Sequence, residues 1–169
     1  MIAVIDYGAG NLQSVIKALH YIGCDAVITK DKQVLQNADG AILPGVGSFA
    51  DAMDCMKASG LTESVIGYAE IAESPFWGSA WGFSFLFEAS EESPGAKGLG
   101  LLKGKITKIP AGEGLKIPHM GWNDLTIPSR TGLVCRDHRK PLRVFCPLLL
   151  FDCRRSGHCF IEDELRRLH

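Results

Sequence analysis

Residues Pro75–Glu88 read PFWGSAWGFSFLFE. An apolar strand reaches Gly78, and a helical pattern leaves from Gly82. Between them lies a Gly-x-Ala-x-Gly frame centred on Ala80. This is the frame of a nucleophile elbow, a sharp strand-to-helix turn that lifts one side chain into an active site. The apex residue is alanine and has no nucleophile. Ser79 does not replace it, because an elbow exposes only its central side chain.

The chain around the elbow alternates strands with helices. Upstream, Ile2–Asp6 reads as a strand ending in the loop YGAGN. Leu12, Val15, Ile16, Leu19 and Ile22 then recur at helical spacing up to Gly23. AVIT is a second strand, a short helix surrounds Val34 and Leu35, and GAILPGVGSF is a strand running into a Gly/Pro turn. Residues 50–61 and 62–72 read as one broken helix or two short ones. Downstream of the elbow the pattern predicts a helix over 83–90, and then strands in GKITKIP and LKIPHMGWNDLTI. Alternation of this kind predicts an α/β fold with a mostly parallel sheet covered on both faces. Sites in such sheets gather at the carboxyl ends of the strands, so the YGAGN, PGVGS and GSAWG loops should share one edge.

Composition narrows the function classes. A chain of 169 residues, 46% hydrophobic and 22% charged, suits one ordinary globular domain. A net charge of −1 makes no case for nucleic acid or an anionic membrane. The N-terminal run is a buried strand in character rather than a signal peptide, and no run is long enough to span a bilayer. The six cysteines show no CxxC spacing, so free thiols and a cytoplasmic setting are expected. Residue usage breaks sharply near Arg130: all eight arginines and four of the six cysteines lie from there onward. We therefore divide the chain into a domain over 1–129 and an aberrant tail over 130–169.

Each short motif has a plain structural reading beside its functional one. In LPGVGSF, Gly45 and Gly47 let backbone N–H groups point outward, as an oxyanion site needs, or they simply make a strand-to-helix turn. DYGAGN lacks a full phosphate-binding pattern, and Asn11 reads as a helix cap. PHMGWND suits an interface, a pocket wall or a half-buried edge strand. In the tail, Cys135, His138, Cys146, Cys153, His158 and Cys159 fit no common zinc spacing. Its arginines are diluted by Asp152, Glu162, Asp163 and Glu164, so a solvated surface is favoured over a nucleic-acid site. No metal and no cofactor are expected.

Taken together, VIDYGAGNLQSV, AILPGVGSFADAM, GSAWGFSFLFEASEESPGAKGLGLL and PHMGWNDL resemble the glutaminase subunits of imidazole glycerol phosphate synthase, class I glutamine amidotransferases of histidine biosynthesis. The resemblance runs from Met1 to about Pro128. It implies a flavodoxin-like α/β fold and a Cys-His-Glu triad, in which a thiolate attacks the side-chain amide of L-glutamine. It also implies a heterodimer with a (β/α)8-barrel synthase subunit that receives the ammonia. By the same resemblance the nucleophile position is Ala80, and oxyanion and substrate contacts fall on Gly45, Val46, Gly47, Gly82 and Ser84. Partner or ammonia-passage positions fall on Asn11, His119, Met120, Gly121, Trp122 and Asn123.

The chain departs from the family at the points that carry chemistry. Ala80 stands where the family has cysteine, Gly82-Phe83-Ser84 replaces its Gly-Phe-Gln, and the segment carrying the other two triad members is not recognisable. A shifted reading frame accounts for this. The family elbow P-L-L-G-I-C-L-G-F-Q can be coded CCC CTT CTG GGG ATC TGC CTG GGG TTT CAG. Loss of one C near its start gives P-F-W-G-S-A-W-G-F-S, and a base regained in the next codon restores Phe85 and the LFE that follows. In the tail, Cys146–Leu150 and the GHCFIEDELRRLH run can likewise be recoded into family strands. The expectation is a glutaminase-type subunit, inactive as written, whose tail fails to supply its share of the sheet because Pro147 interrupts VFCPLLLF. That would leave an exposed core edge and poor stability. The alternatives are a non-catalytic subunit that only docks the barrel, a hydrolase with another nucleophile and an RNA- or phosphate-binding protein.

Overall fold

The computed structural model describes residues 1–71 and 75–108, together with the backbone of three later strands. Four parallel strands form its centre: β1 (Ile2–Ile5), β2 (Ala26–Thr29), β3 (Gly40–Gly45) and β4 (Phe76–Ala80), in the order β2-β1-β3-β4. Helices α1 (Leu12–Tyr21), α2 (Lys32–Gln36), α3 (Phe49–Ser59) and α4 (Thr62–Ile71) connect them. The strands are short β-branched and alanine-rich runs. The two central strands, β1 and β3, show near-continuous burial instead of alternation, as parallel strands covered on both faces do, whereas the flanking β2 and β4 are largely half-buried or exposed.

Each face of the sheet has its own core. On one, Val4 and Ile42 meet Ile16 and Leu19 of α1. On the other, Ala3, Ile5, Ala41 and Leu43 pack with Leu35, Phe49, Met53, Met56, Val65 and Tyr68 from α2, α3 and α4. The helices begin where the sequence supplies a cap. Asn11 Oδ1 accepts from the Ser14 N–H at 3.2 Å, Asp31 Oδ1 from Gln33 at 2.7 Å, and Ser48 Oγ from Asp51 at 3.2 Å. Each cap satisfies an N–H that has no partner inside its helix. The buried Tyr68 hydroxyl donates to the Ala38 carbonyl at 3.0 Å and so ties α4 to the end of α2.

Beyond the elbow the chain departs from the predicted pattern. α5 (Trp81–Ser84) is a single turn, and the helix expected over 83–90 gives way to strand β5 (Phe87–Ser90). Backbone hydrogen bonding supplies the reason. The carbonyls of Phe85, Leu86, Phe87 and Glu88 accept from the N–H groups of Leu99, Leu102, Gly100 and Gly98 at 2.8, 2.8, 3.3 and 3.0 Å, so they are not available to a helix. Phe85, Leu86 and Phe87 are also buried in succession, which one stripe of a surface helix does not achieve. β5 runs parallel to β6 (Leu102–Lys108), with a register irregularity between Phe87 and Ala89.

β8 (Leu142–Phe145) pairs antiparallel with β7 (Gly121–Asp124), and β9 (Leu149–Asp152) pairs antiparallel with β6. Among the described residues no strand of the tail joins the four-stranded parallel sheet. The apolar run is divided into two short strands, with Pro147 between them and outside the described residues. Neither strand then needs an N–H from proline. On β4, Trp77 is 56% exposed.

Candidate functional site: a strained elbow at the sheet edge

The loops after β1, β3 and β4 follow parallel neighbours and gather at one sheet edge. At its centre β4 turns into α5 at Ala80, with φ 51° and ψ −127°. Ala80 is the one non-glycine residue with positive φ among the described residues. An alanine does not choose this conformation, which costs about 1–3 kcal/mol. The surroundings impose it.

The imposing contact lies between β3 and α5. Gly45 is the register partner of Ala80 at the end of the β3·β4 ladder. A Cβ on Gly45 would overlap the backbone N of Gly82, and one on Gly82 would overlap the Leu43 carbonyl. A Cβ on Gly78 would lie 2.6 Å from Phe83 Cα. Both outer positions of the Gly-x-Ala-x-Gly frame are thus glycine because backbone touches backbone there.

The predicted site residues divide by burial. Val46 and Gly47 are exposed beside the exposed Ala80, while Gly45, Gly82 and Ser84 are buried. Ser84 is only 2% exposed. Asn11 is exposed, and its side-chain oxygen caps α1. Gly121, Trp122 and Asn123 lie in β7, where they pair with Phe145, Val144 and Arg143. His119 and Met120 fall outside the described residues. Chemically, the edge offers exposed backbone at Val46 and Gly47 next to an exposed methyl group. It contains no nucleophile at the apex.

Two features of this edge have no short-range signal in the sequence. The first turn of α3, directly after the Gly45–Gly47 loop, is held from a distant segment. The Phe49 N–H donates to Glu92 Oε2 at 3.2 Å, and the Ala50 N–H to Ser93 Oγ at 3.3 Å. These partners are 43 residues away in sequence. A carboxylate there also complements the helix dipole. The second feature is Tyr7, whose buried hydroxyl donates to the Pro44 carbonyl at 2.9 Å. Burial, with a smaller contribution from Cys55, pushes the Tyr7 phenol up to about 12. At the edge's far side, Lys30 Nζ lies 3.4 Å from Asp6 Oδ2. Among the described residues no group of three or more His, Cys, Asp or Glu could hold a metal, and no helix is long and apolar enough to cross a membrane.

Comparison with known proteins agrees with this geometry. The chain is 48% identical over 127 residues to the imidazole glycerol phosphate synthase subunit HisH of Methanothermobacter thermautotrophicus, covering 75% of this chain and 62% of that one. The chain is a homologue of HisH.

The HisH subunit of Geobacillus kaustophilus is 48% identical over 129 residues (74% of this chain, 61% of that one). That of Caldanaerobacter subterraneus is 46% identical over 131 residues, covering 78% and 63%. The chain therefore spans about three-fifths of the length of these relatives. In fold it is similar to a solved glutamine amidotransferase, with a TM-score of 0.69 and 21% identity, covering 93% of this chain and 75% of that one. No family model matches the chain. The similarity to HisH subunits expected from the sequence is thus borne out, as is the mostly parallel α/β fold.

Proposed function

We propose that this chain is the glutaminase-type subunit of an imidazole glycerol phosphate synthase that does not hydrolyse glutamine. Ala80 carries the reading. It occupies the elbow apex, in the elbow's strained conformation, with a methyl group where attack on the glutamine amide requires a thiolate. The backbone of Gly45–Gly47 beside it supports the oxyanion half of that chemistry, and L-glutamine is the substrate class it would accommodate. Without a nucleophile no covalent intermediate forms. The partner in this reading is a (β/α)8-barrel synthase subunit, met in the cytoplasm through Asn11 and the His119–Asn123 segment. Retention of the elbow and its flanking loops without the reagent also favours a subunit that docks the barrel without making ammonia.

Glutamate release from L-glutamine by the full chain mixed with the barrel subunit tests the proposal. The expected result is no release above background. Turnover above background would overturn it, and its loss or survival in Ser79→Ala would show whether Ser79 supplies the nucleophile. Sedimentation of the mixture reports docking separately. Sequencing the coding DNA across Pro75–Phe85 tests the frame account. Bases that encode Gly-Ile-Cys-Leu-Gly there would make this an ordinary glutaminase subunit, whereas the displaced frame is expected.

A further inference from the structure

We infer that Tyr7 is a positioning residue for the Gly45–Gly47 backbone, acting by holding the Pro44 carbonyl in place. The β1·β3 ladder ends at Val4↔Ile42, so Pro44, two residues further on, lies past its last strand partner on that side. The Tyr7 hydroxyl supplies a donor there, 2.9 Å from the Pro44 oxygen. An unpartnered buried carbonyl would otherwise be left at the base of the exposed loop.

Two further contacts make this a clamp. The Tyr7 ring is 1% exposed and meets Phe85 edge-on, with centroids 6.3 Å apart. The hydroxyl therefore has little freedom to follow a moving loop. On the other side, a Cβ on Gly10 would come within 3.2 Å of Pro44 Cβ, so the β1 loop rests against the proline ring. Pro44 is held between residues 7 and 10, and the next residue, Gly45, abuts the elbow at Gly82. The raised phenol pKa keeps the donor protonated across the whole neutral range. The path runs from the β1 loop through Pro44 to the edge backbone and on to the elbow.

This inference rests on reading Gly45–Gly47 as the oxyanion-side backbone, but its test does not require turnover. Backbone 15N order parameters are measured by NMR on the full chain and on Tyr7→Phe, which keeps the ring and loses the hydroxyl. The order parameters of Val46 and Gly47 are expected to fall from rigid values of about 0.85 towards about 0.6, with Val27 and Ile28 unchanged. The Pro44 carbonyl 13C resonance is expected to shift as its hydrogen bond is lost. Unchanged order at Val46 and Gly47 would falsify the proposal. An equal fall across the sheet, or failure of Tyr7→Phe to fold, would make the hydroxyl a general fold determinant and overturn it too. Glutaminase activity in the unaltered chain would sink the functional proposal while leaving this result standing.

Discussion

The segments before and after the elbow are built to different standards. In residues 2–71, α1, α2 and α3 each begin at a side chain that accepts from a first-turn N–H. The parallel ladders there run in unbroken register. In residues 81–108, α5 has no side-chain cap and stops after one turn, and β5 meets β6 through a register irregularity. The first segment is held by agreement between local signals and tertiary packing. The second is held by tertiary contacts, through the packing of Phe85 and Phe87 and the backbone acceptors taken up by residues 98–102. Where local and global preferences agree, a fold tolerates the loss of any one of them.

Substitutions can break this contrast at points of decreasing force. Phe85→Ala removes a fully buried ring that meets both Tyr7 and Phe49 edge-on, and it should cost about 3–5 kcal/mol in urea unfolding. An effect below about 1 kcal/mol would mean that the later segment does not depend on this core. Gly82→Ala forces a methyl group into the Leu43 carbonyl, and about 3 kcal/mol of destabilisation is expected from a clash that no side-chain rotation relieves. Ala80→Gly should work in the opposite direction, raising stability by about 1 kcal/mol as the left-handed strain is released. A loss on thermal unfolding would show that the elbow is not strained.

In the earlier segment, Asn11→Ala removes one cap and should cost about 1 kcal/mol, read as a lower urea midpoint. The smallest effect belongs to the exposed pair between the Met1 ammonium and Asp39. Asp39 is lowered from 3.8, chiefly by the hydrogen bond from the ammonium, so its contribution is present above that value and fades as pH falls through the lowered one. The ammonium is raised from 8.0, chiefly by the same bond, so its contribution is complete below that value and fades as pH climbs through the raised one. Asp39→Asn should therefore flatten both flanks of the stability–pH curve slightly. Unaltered flanks would assign this pair no role.

The earlier segment was readable in the sequence because its signals are short-range. Leu12, Val15, Ile16 and Leu19 mark a helix face, Asn11 and Ser48 mark helix starts, and the Gly-x-Ala-x-Gly frame marks the elbow. The sequence of β5 also suits a helix, because the apolar run after Gly82 has no period that separates a buried helix turn from a buried strand. What decides between them is the bonding of residues 98–102, which no local pattern announces. The same holds at the candidate site. Ala80, Gly45 and Gly82 could be found from spacing, whereas Tyr7 on Pro44 and Glu92 on Phe49 join residues 37 and 43 positions apart.

The Gly45–Gly82 contact also bears on how such a protein changes over generations. The bend at Ala80 is enforced from outside the residue that bends, so exchanging the apex side chain does not unbend it. Selection on chemistry and selection on shape become separable at this point. A lineage can lose its reagent in one step and keep the socket, and one further step at the same codon puts a different side chain in the same presented position. Erosion of the socket itself requires a change at Gly45 or Gly82, which the fold resists. Reactivity at this edge should therefore be the first property to drift, and the outline of the edge among the last.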